Sequence, residues 1–156
     1  MGPRRSKKRS DKPSSSEPRS DVTFFVDRSL GKRAVAEALR SLAFLVVAHD
    51  DVFDAATEDR QWLAHAGENN WIVLSADKGI RRKPDNLDAF VRHKVRAVVI
   101  TSGNLSAADQ TRIFVTYGRR IQDVLMSSKP PVAYAITKVG VLSRLSLHRR
   151  VSGLAP

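Results

Sequence analysis

The sequence predicts an α/β fold in three layers, with a central, mostly parallel sheet, helices on both faces and a C-terminal hairpin. The first observation is that short apolar runs alternate with helical patterns through four successive units. The second is that these runs are apolar throughout, as in strands that are covered on both faces. The third is a turn signal, Val139-Gly140, between two apolar stretches near the C-terminus, which predicts the hairpin.

β-Branched and aromatic residues predict four buried strands, at 22–26, 44–48, 71–75 and 96–100. Helices are expected from residue 31 onward, from about 58 to 69, and from 85 to 94. The first helix is expected to bury four apolar residues along one face: Val35, Ala38, Leu39 and Leu42. Because a helix separates each strand from the next, the four strands are expected to run parallel.

The C-terminal part is predicted to be a long helix followed by the hairpin. Ser106 and Asp109 have the spacing of a capping box and are expected to open this helix. Its inner stripe is expected to contain six residues: Ile113, Phe114, Tyr117, Ile121, Val124 and Leu125. The two hairpin strands are expected within 132–138 and 141–145.

Composition limits the cellular context and the kinds of site. The chain has 156 residues, of which 42% are hydrophobic, which suits one folded domain. It has no cysteine, so thiolate metal sites, thiol nucleophiles and disulfides are excluded, and a reducing, cytoplasmic location is expected. No apolar run is long enough to span a bilayer and no secretory signal follows the basic start, so membrane contact is not expected.

Positive charge is spread over two parts of the chain. Residues 1–20 have a net charge of +5 and few apolar side chains, which predicts a disordered basic arm. The predicted domain, residues 21–156, holds the remaining +6 of the total of +11. A basic domain attracts polyanions by counterion release, and nucleic acid is the commonest such partner. The alternative is that the charge only maintains solubility.

Acidic side chains follow the predicted strands at the edge where parallel sheets bind ligands. Asp27 ends the first strand, Asp50 and Asp51 follow the second, and Asp77 follows the third. Asp59 lies on the inward stripe of the next helix, at the N-terminus that faces the same edge.

Clustered carboxylates repel each other and take up either protons or a cation. An oxygen-only ligand set suits Mg²⁺ or Mn²⁺ better than Zn²⁺. Each acid also has a purely structural interpretation at this stage. Asp27 can end a strand, Asp59 can favour a helix N-terminus, and Asp77 can form an Asx turn.

Three stretches of the chain, 24–31, 59–63 and 73–78, resemble the PIN-like nucleases, and more narrowly the small PIN-like toxins of VapBC-type toxin–antitoxin systems. The resemblance covers about residues 22–145. It implies that Asp27, Asp59 and Asp77 are catalytic metal ligands and that Ser75 supports the last acid. The family has a further acid on a helix, for which Asp50 is the first choice here and Asp51 the second.

The resemblance also implies an activity and its partners. It implies a Mg²⁺- or Mn²⁺-dependent endoribonuclease, the toxin of a type II pair, which acts on RNA and is inhibited by a cognate antitoxin. A homodimer is the further partner expected. Four basic residues near the acids are candidates for RNA binding: Arg28, Lys78, Arg81 and Arg82. Arg28 is expected either to contact phosphate or to pair with the acids.

Two other functions compete with a nuclease. One is a non-catalytic nucleic-acid-binding module whose acids are vestigial. The other is an aspartyl phosphoryl-transfer domain, although the Asp27-Arg28-Ser29 sequence lacks the second acid that such sites place beside the first strand. Trp62 is expected in the core rather than as a base-stacking platform, and His49 is expected to be either packed or exposed.

Overall fold

A computed structural model describes residues 17–147, which form one six-stranded sheet with helices on both faces. The strands are β1 (Thr23–Val26), β2 (Leu45–Ala48), β3 (Ile72–Ser75), β4 (Arg96–Ile100), β5 (Val132–Ile136) and β6 (Leu142–Arg144). The helices are α1 (Ala34–Ser41), α2 (His49–Val52), α3 (Asp59–Glu68), α4 (Pro84–Arg92) and α5 (Ala107–Ser127), and a 3-10 turn spans Arg28–Leu30.

The order of strands in the sheet is β2-β1-β3-β4-β5-β6. Strands β1 to β5 are parallel, and β6 runs antiparallel to β5, which confirms the predicted parallel sheet with a C-terminal hairpin. Strand β1 lies between β2 and β3, with Phe25 opposite Val47 on one side and Val73 on the other. The carboxyl ends of β1, β2 and β3 are therefore neighbours.

Alternate residues of each central strand supply two separate cores. Phe24 and Leu74 pack into the core shared with α1 and α5, whereas Phe25 and Val73 pack into the core shared with α3 and α4. Helices α1 and α5 contact each other, as do α3 and α4. The strands are apolar throughout because each side chain, up or down, meets a helical layer. This confirms the three-layer prediction.

The prediction that all four strands are buried is wrong for β2. Its first residue, Leu45, is 46% exposed, and only Ala48 at its end is buried. The reason is that β2 is an edge strand, with β1 as its one strand neighbour. Leu42, predicted on the buried face of α1, is also exposed, because the helix ends at Ser41 and Leu42 turns away as its C-cap.

The long helix begins as predicted. Ser106 Oγ accepts a hydrogen bond from the backbone of Asp109 at 3.0 Å, and the Asp109 carboxylate accepts one from the Ser106 backbone at 3.4 Å. The stripe of α5 that faces the sheet buries Ile113, Phe114, Ile121 and Leu125, while Tyr117 and Val124 are partly buried. One short helix, α2, was not predicted, because a single turn has no hydrophobic period to detect.

Most of the predicted basic arm, residues 1–16, lies outside the described residues, as do residues 148–156. The last four arm residues are described, and two of them, Glu17 and Arg19, contact α5; the disorder of the arm stays a prediction. The backbone of Arg19 donates to the buried Gln122 Oε1 at 2.8 Å, and Arg119 donates to the Glu17 carbonyl. Between residues 17 and 147, no helix is both long and apolar enough to cross a membrane.

Candidate active site

Asp27 is the first residue after β1, and its side chain is 7% exposed. Its backbone N–H donates to the Leu74 carbonyl of the neighbouring strand at 3.0 Å, which holds the residue at the sheet edge. Two hydroxyl groups donate to the same carboxylate oxygen, Oδ2: Ser75 Oγ at 2.7 Å and Ser29 Oγ at 2.8 Å. The Arg28 backbone N–H also donates to this carboxylate.

The direction of both hydroxyl groups is fixed by the end of β3. Ser75 Oγ accepts the backbone N–H of Asp77 at 2.9 Å, and Ser29 Oγ accepts that of Ala76 at 2.9 Å. A backbone N–H can only donate and a carboxylate can only accept, so each hydroxyl donates to Asp27 when that residue is ionised; the two hydroxyl oxygens lie 3.2 Å apart. The two serines thus join the ends of β1 and β3 and set the orientation of one carboxylate.

The ionised form of Asp27 is disfavoured where it lies. Burial raises the pKa of Asp27 above its ordinary value, and the negative charge of Asp59 raises it further. The hydrogen bonds from Ser75, Ser29 and the Arg28 backbone act in the opposite direction without cancelling the rise. A bound cation would offset both the burial and the repulsion.

Asp59 is the first residue of α3, and both of its carboxylate oxygens are held by neutral donors. Trp62 Nε1 donates to Oδ1 at 3.1 Å and Asn86 Nδ2 donates to Oδ2 at 3.3 Å. Trp62 is buried in the core, as predicted, and Asn86 is buried on the first turn of α4. Because the charge of Asp59 also raises the pKa of Asp27, we call these two residues the acidic pair; neither has a cationic partner among the described residues.

Asp77 adjoins this pair through Ser75 but uses one carboxylate oxygen locally. Its Oδ1 accepts the backbone N–H of Gly79 at 2.9 Å, the hydrogen bond expected of an Asx turn. Its own backbone N–H donates to Ser75, whose hydroxyl donates to Asp27. Asp77 is thus linked to Asp27 through the Ser75 hydroxyl, and its Oδ2 has no hydrogen bond within residues 17–147.

The acids after β2 have different surroundings. Asp50 Oδ1 accepts from His49 Nδ1 at 2.9 Å and lies 3.0 Å from Arg28 Nε. The hydrogen bond from His49 lowers the pKa of Asp50, and the charge of Arg28 adds to this effect. Asp51 turns to Arg40, at 2.8 Å, and that hydrogen bond lowers its pKa. The structure therefore places a cationic partner beside each candidate for the second acid.

The predicted RNA-binding residues fall into three environments. Lys78 and Arg82 are exposed on the loop between β3 and α4. Arg81 is partly buried and donates to the Ser146 carbonyl at 2.8 Å, and burial lowers its pKa. Arg28 is paired with Asp50, which is one of the two roles expected for it.

Sequence reasoning missed two residues that contact the acids. Ser29 follows Asp27 by two residues, and Asn86 follows Pro84 by two on the first turn of α4. The Asp-x-Ser spacing after a strand is a usable signal for the first, since the 3-10 turn brings the hydroxyl back to the carboxylate. Asn86 gives no such signal, because it lies 27 residues from Asp59 and meets it only through the packing of α3 on α4.

The oxygen donors of the acidic pair suit Mg²⁺, which proteins commonly hold through one or two carboxylates, with water or substrate phosphate completing the shell. Within residues 17–147, each Asp59 oxygen has one neutral donor and a remaining lone pair, and the donors to Asp27 are also neutral. Across residues 17–147, no group of three or more Asp, Glu or His side chains is placed closely enough to hold a metal ion. The arrangement thus fits a two-carboxylate site and not a complete protein cage.

The sequence profile of a known family, the PIN like domain, matches residues 22–102. The chain belongs to the PIN-like domain family. The match begins at β1 and ends just after β4, so it contains Asp27, Asp59 and Asp77 together with their serine and asparagine partners. The PIN-like domain has a nuclease-type fold. No curated protein and no solved structure matches the chain.

Proposed function

We propose that this PIN-like domain is a Mg²⁺- or Mn²⁺-dependent endoribonuclease. The observation that supports the proposal most is the acidic pair of Asp27 and Asp59, which lacks a cationic partner within the described residues of a protein with a net charge of +11. Buried or partly buried carboxylates that repel each other are costly to keep without a function. The family match adds a nuclease-type fold to this chemistry.

Asp27 and Asp59 would hold the cation, and Asp77 would support them, because its backbone N–H holds the Ser75 hydroxyl that donates to Asp27. A bound divalent cation supplies an activated water and neutralises charge on the phosphodiester that is cut. Ser29 and Ser75 orient Asp27 by donating to its Oδ2. Trp62 and Asn86 hold Asp59 in the same way. Each acid is therefore positioned by neutral donors, which do not neutralise the charge of the ionised carboxylate.

RNA would be attracted by the exposed basic side chains beside this pair. Lys78 and Arg82 lie on the loop that follows Asp77, so they adjoin the acidic pair at the same sheet edge. Their positive charge offsets the repulsion between the acids and a polyanion. Arg81 contributes mainly to the shape of this loop, because its guanidinium is tied to the Ser146 carbonyl.

The biological role that we propose is that of the toxin in a type II toxin–antitoxin pair in the cytoplasm. The support is the resemblance of 24–31, 59–63 and 73–78 to VapBC-type toxins. The expected partners are RNA and a cognate antitoxin, with homodimerisation as a further expectation. Expression of the wild-type chain should arrest growth, and expression of Asp27→Asn should not; growth unaffected by an active wild-type enzyme would refute the toxin role.

Cleavage of total RNA tests the nuclease proposal. Wild-type protein is expected to cleave in Mg²⁺ and to be inactive in EDTA, and Asp27→Asn is expected to be inactive in both. Asp88→Asn, an exposed acid on α4, is the matched control and should retain wild-type activity. Melting curves of all three proteins verify folding. Full activity in folded Asp27→Asn would refute the proposal.

One observation favours a second candidate, a non-catalytic RNA-binding module. Asp27 and Asp59 already accept hydrogen bonds from protein donors, and no three metal-binding side chains cluster in the described part of the chain. Under this alternative, Asp27→Asn and wild type bind RNA equally and neither responds to Mg²⁺. The same RNA and melting experiments therefore distinguish the two functions.

A further inference from the structure

Arg28, the residue that follows Asp27, is held at two of its guanidinium nitrogens. Its Nε lies 3.0 Å from Asp50 Oδ1, and its Nη1 donates to the Ala55 carbonyl at 3.4 Å. The side chain is nevertheless 40% exposed. Within residues 17–147, Nη2 has no hydrogen bond, so its N–H groups remain available to an external acceptor.

The partner of Arg28 is itself anchored to the core. Asp50 Oδ1 also meets His49 Nδ1 at 2.9 Å, and a carboxylate is an acceptor only, so the imidazole nitrogen is the donor. The His49 ring is buried and packs against the rings of Phe25 and Trp62. A rigid ring therefore fixes the carboxylate, and the carboxylate fixes the guanidinium.

This arrangement leaves Asp50 poorly suited to bind a metal. Its charge is already balanced by Arg28, and its Oδ1 already has two donors. A divalent cation at Asp50 would lie beside a guanidinium and would be repelled by it. The acidic pair differs, since its donors are neutral.

We propose that Arg28 binds a phosphate of the RNA substrate, and that Asp50 is its positioning residue and not a metal ligand. This inference rests on the proposed function, whose substrate it contacts. A guanidinium fork whose direction is fixed matches the oxygens of a phosphate and loses little freedom on binding. Because Arg28 follows Asp27 directly in the chain, we expect this phosphate to lie at the same edge of the sheet as the acidic pair.

Equilibrium binding of a short, fluorescent, single-stranded oligouridylate in EDTA tests the role of Arg28. Arg28→Ala should weaken binding, and the slope of log Kd against log salt should fall by about 0.7, the amount that each neutralised phosphate of a single strand adds to it. A purely structural role would leave this slope unchanged. An unchanged slope in a folded variant would therefore overturn the assignment.

Asp50→Asn tests the positioning role through the sign of its effect. Removing a negative charge beside a polyanion should by Coulomb's law tighten RNA binding. The proposal predicts the opposite, a weaker complex, because Arg28 loses its anchor. In an Arg28→Ala background the same change should no longer weaken binding, since there is nothing left to position. Tighter binding by Asp50→Asn in the wild-type background would overturn the inference.

Asp51→Asn is the matched control, because Asp51 lies on the same turn but pairs with Arg40. Its RNA binding should be equal to that of wild type or slightly tighter, because only a negative charge is lost. If Asp51→Asn weakened RNA binding as much as Asp50→Asn does, either acid of α2 would position Arg28, and the specific pairing of Arg28 with Asp50 would be overturned. Loss of the Mg²⁺-induced rise in melting temperature in Asp50→Asn would also overturn it, by making Asp50 a ligand. Binding in EDTA needs neither metal nor cleavage, so failure here is distinguishable from failure of the nuclease proposal.

Discussion

Asp27 and Asp50 follow neighbouring parallel strands at the same edge of the sheet, yet their surroundings are opposite. Asp27 is buried, receives two serine hydroxyls and has a raised pKa. Asp50 is exposed, contacts an imidazole and a guanidinium, and has a lowered pKa. The first carboxylate has an unbalanced charge, and the second has a balanced one. Position at a sheet edge therefore does not determine what an acid can bind; its partners do.

The source of this difference is the layout of the sheet. Strand β1 has neighbours on both sides, so the end of β3 reaches Asp27 and encloses it with Ser75. Strand β2 is at the edge, so the turn after it is open to solvent and admits the long side chain of Arg28. The interior strand yields a buried acid, and the edge strand yields an exposed ion pair.

The largest effect is expected at the second member of the acidic pair. Asp59→Asn keeps the size of the side chain but removes the charge, so RNA cleavage in Mg²⁺ should fall at least about 100-fold, as expected when several kcal/mol of metal stabilisation are removed. Asp51→Asn, in the turn after β2, should keep most of its activity. Equal decreases in the two variants would show that the distinction between the acidic pair and the acids after β2 has no catalytic meaning.

A smaller effect is expected from the hydroxyl that orients Asp27. Ser75→Ala removes one donor to Oδ2 and leaves the charge, so cleavage should fall about 10- to 100-fold, the usual cost of removing the partner of a metal ligand. Ser41→Ala is the control, because its hydroxyl bonds only to the Ala38 carbonyl of α1. Cleavage by folded Ser75→Ala at the wild-type rate would mean that Asp27 needs no orientation by β3.

The smallest effect is expected on stability, and its sign follows from the raised pKa of Asp27. The folded protein binds a proton at Asp27 more readily than the unfolded chain does, so stability falls as pH rises from about 3.8, the ordinary value, through the higher folded pKa. Asp27→Asn is free of this decrease. In EDTA it should therefore melt above wild type at neutral pH, and the difference should shrink toward zero as pH falls to the ordinary value. If Asp27→Asn melted below wild type at neutral pH, ionisation of Asp27 would not destabilise the folded protein, which contradicts this prediction.

The sequence was sufficient for the architecture and for the positions of the acids, because both follow from periodicity. Apolar runs predicted the parallel sheet, and the end of each run located Asp27, Asp50 and Asp77 at one edge. It was not sufficient for the burial of β2, since an edge strand and a central strand have similar composition. Nor was it sufficient for the partners: Asn86 reaches Asp59 through the packing of two helices, which joins residues far apart in the chain.

The choice between Asp50 and Asp51 shows the same limit. The two acids are adjacent in sequence and have the same charge, so no pattern separates them. In the structure, one turn of helix directs Asp50 to Arg28 and Asp51 to Arg40. A rotation of about 100° per residue places adjacent side chains on different sides of a helix. That difference appears only when the short helix α2 is known to form.

The central claim is that the acidic pair, and not the acid after β2, holds the divalent cation. The most direct test is the melting temperature of wild type, Asp27→Asn and Asp50→Asn, each with and without millimolar Mg²⁺, because a ligand that binds only the folded state raises it. Mg²⁺ should raise the melting temperature of wild type and of Asp50→Asn, and should leave that of Asp27→Asn unchanged. A full Mg²⁺ response in Asp27→Asn, or its absence in Asp50→Asn, would contradict the claim.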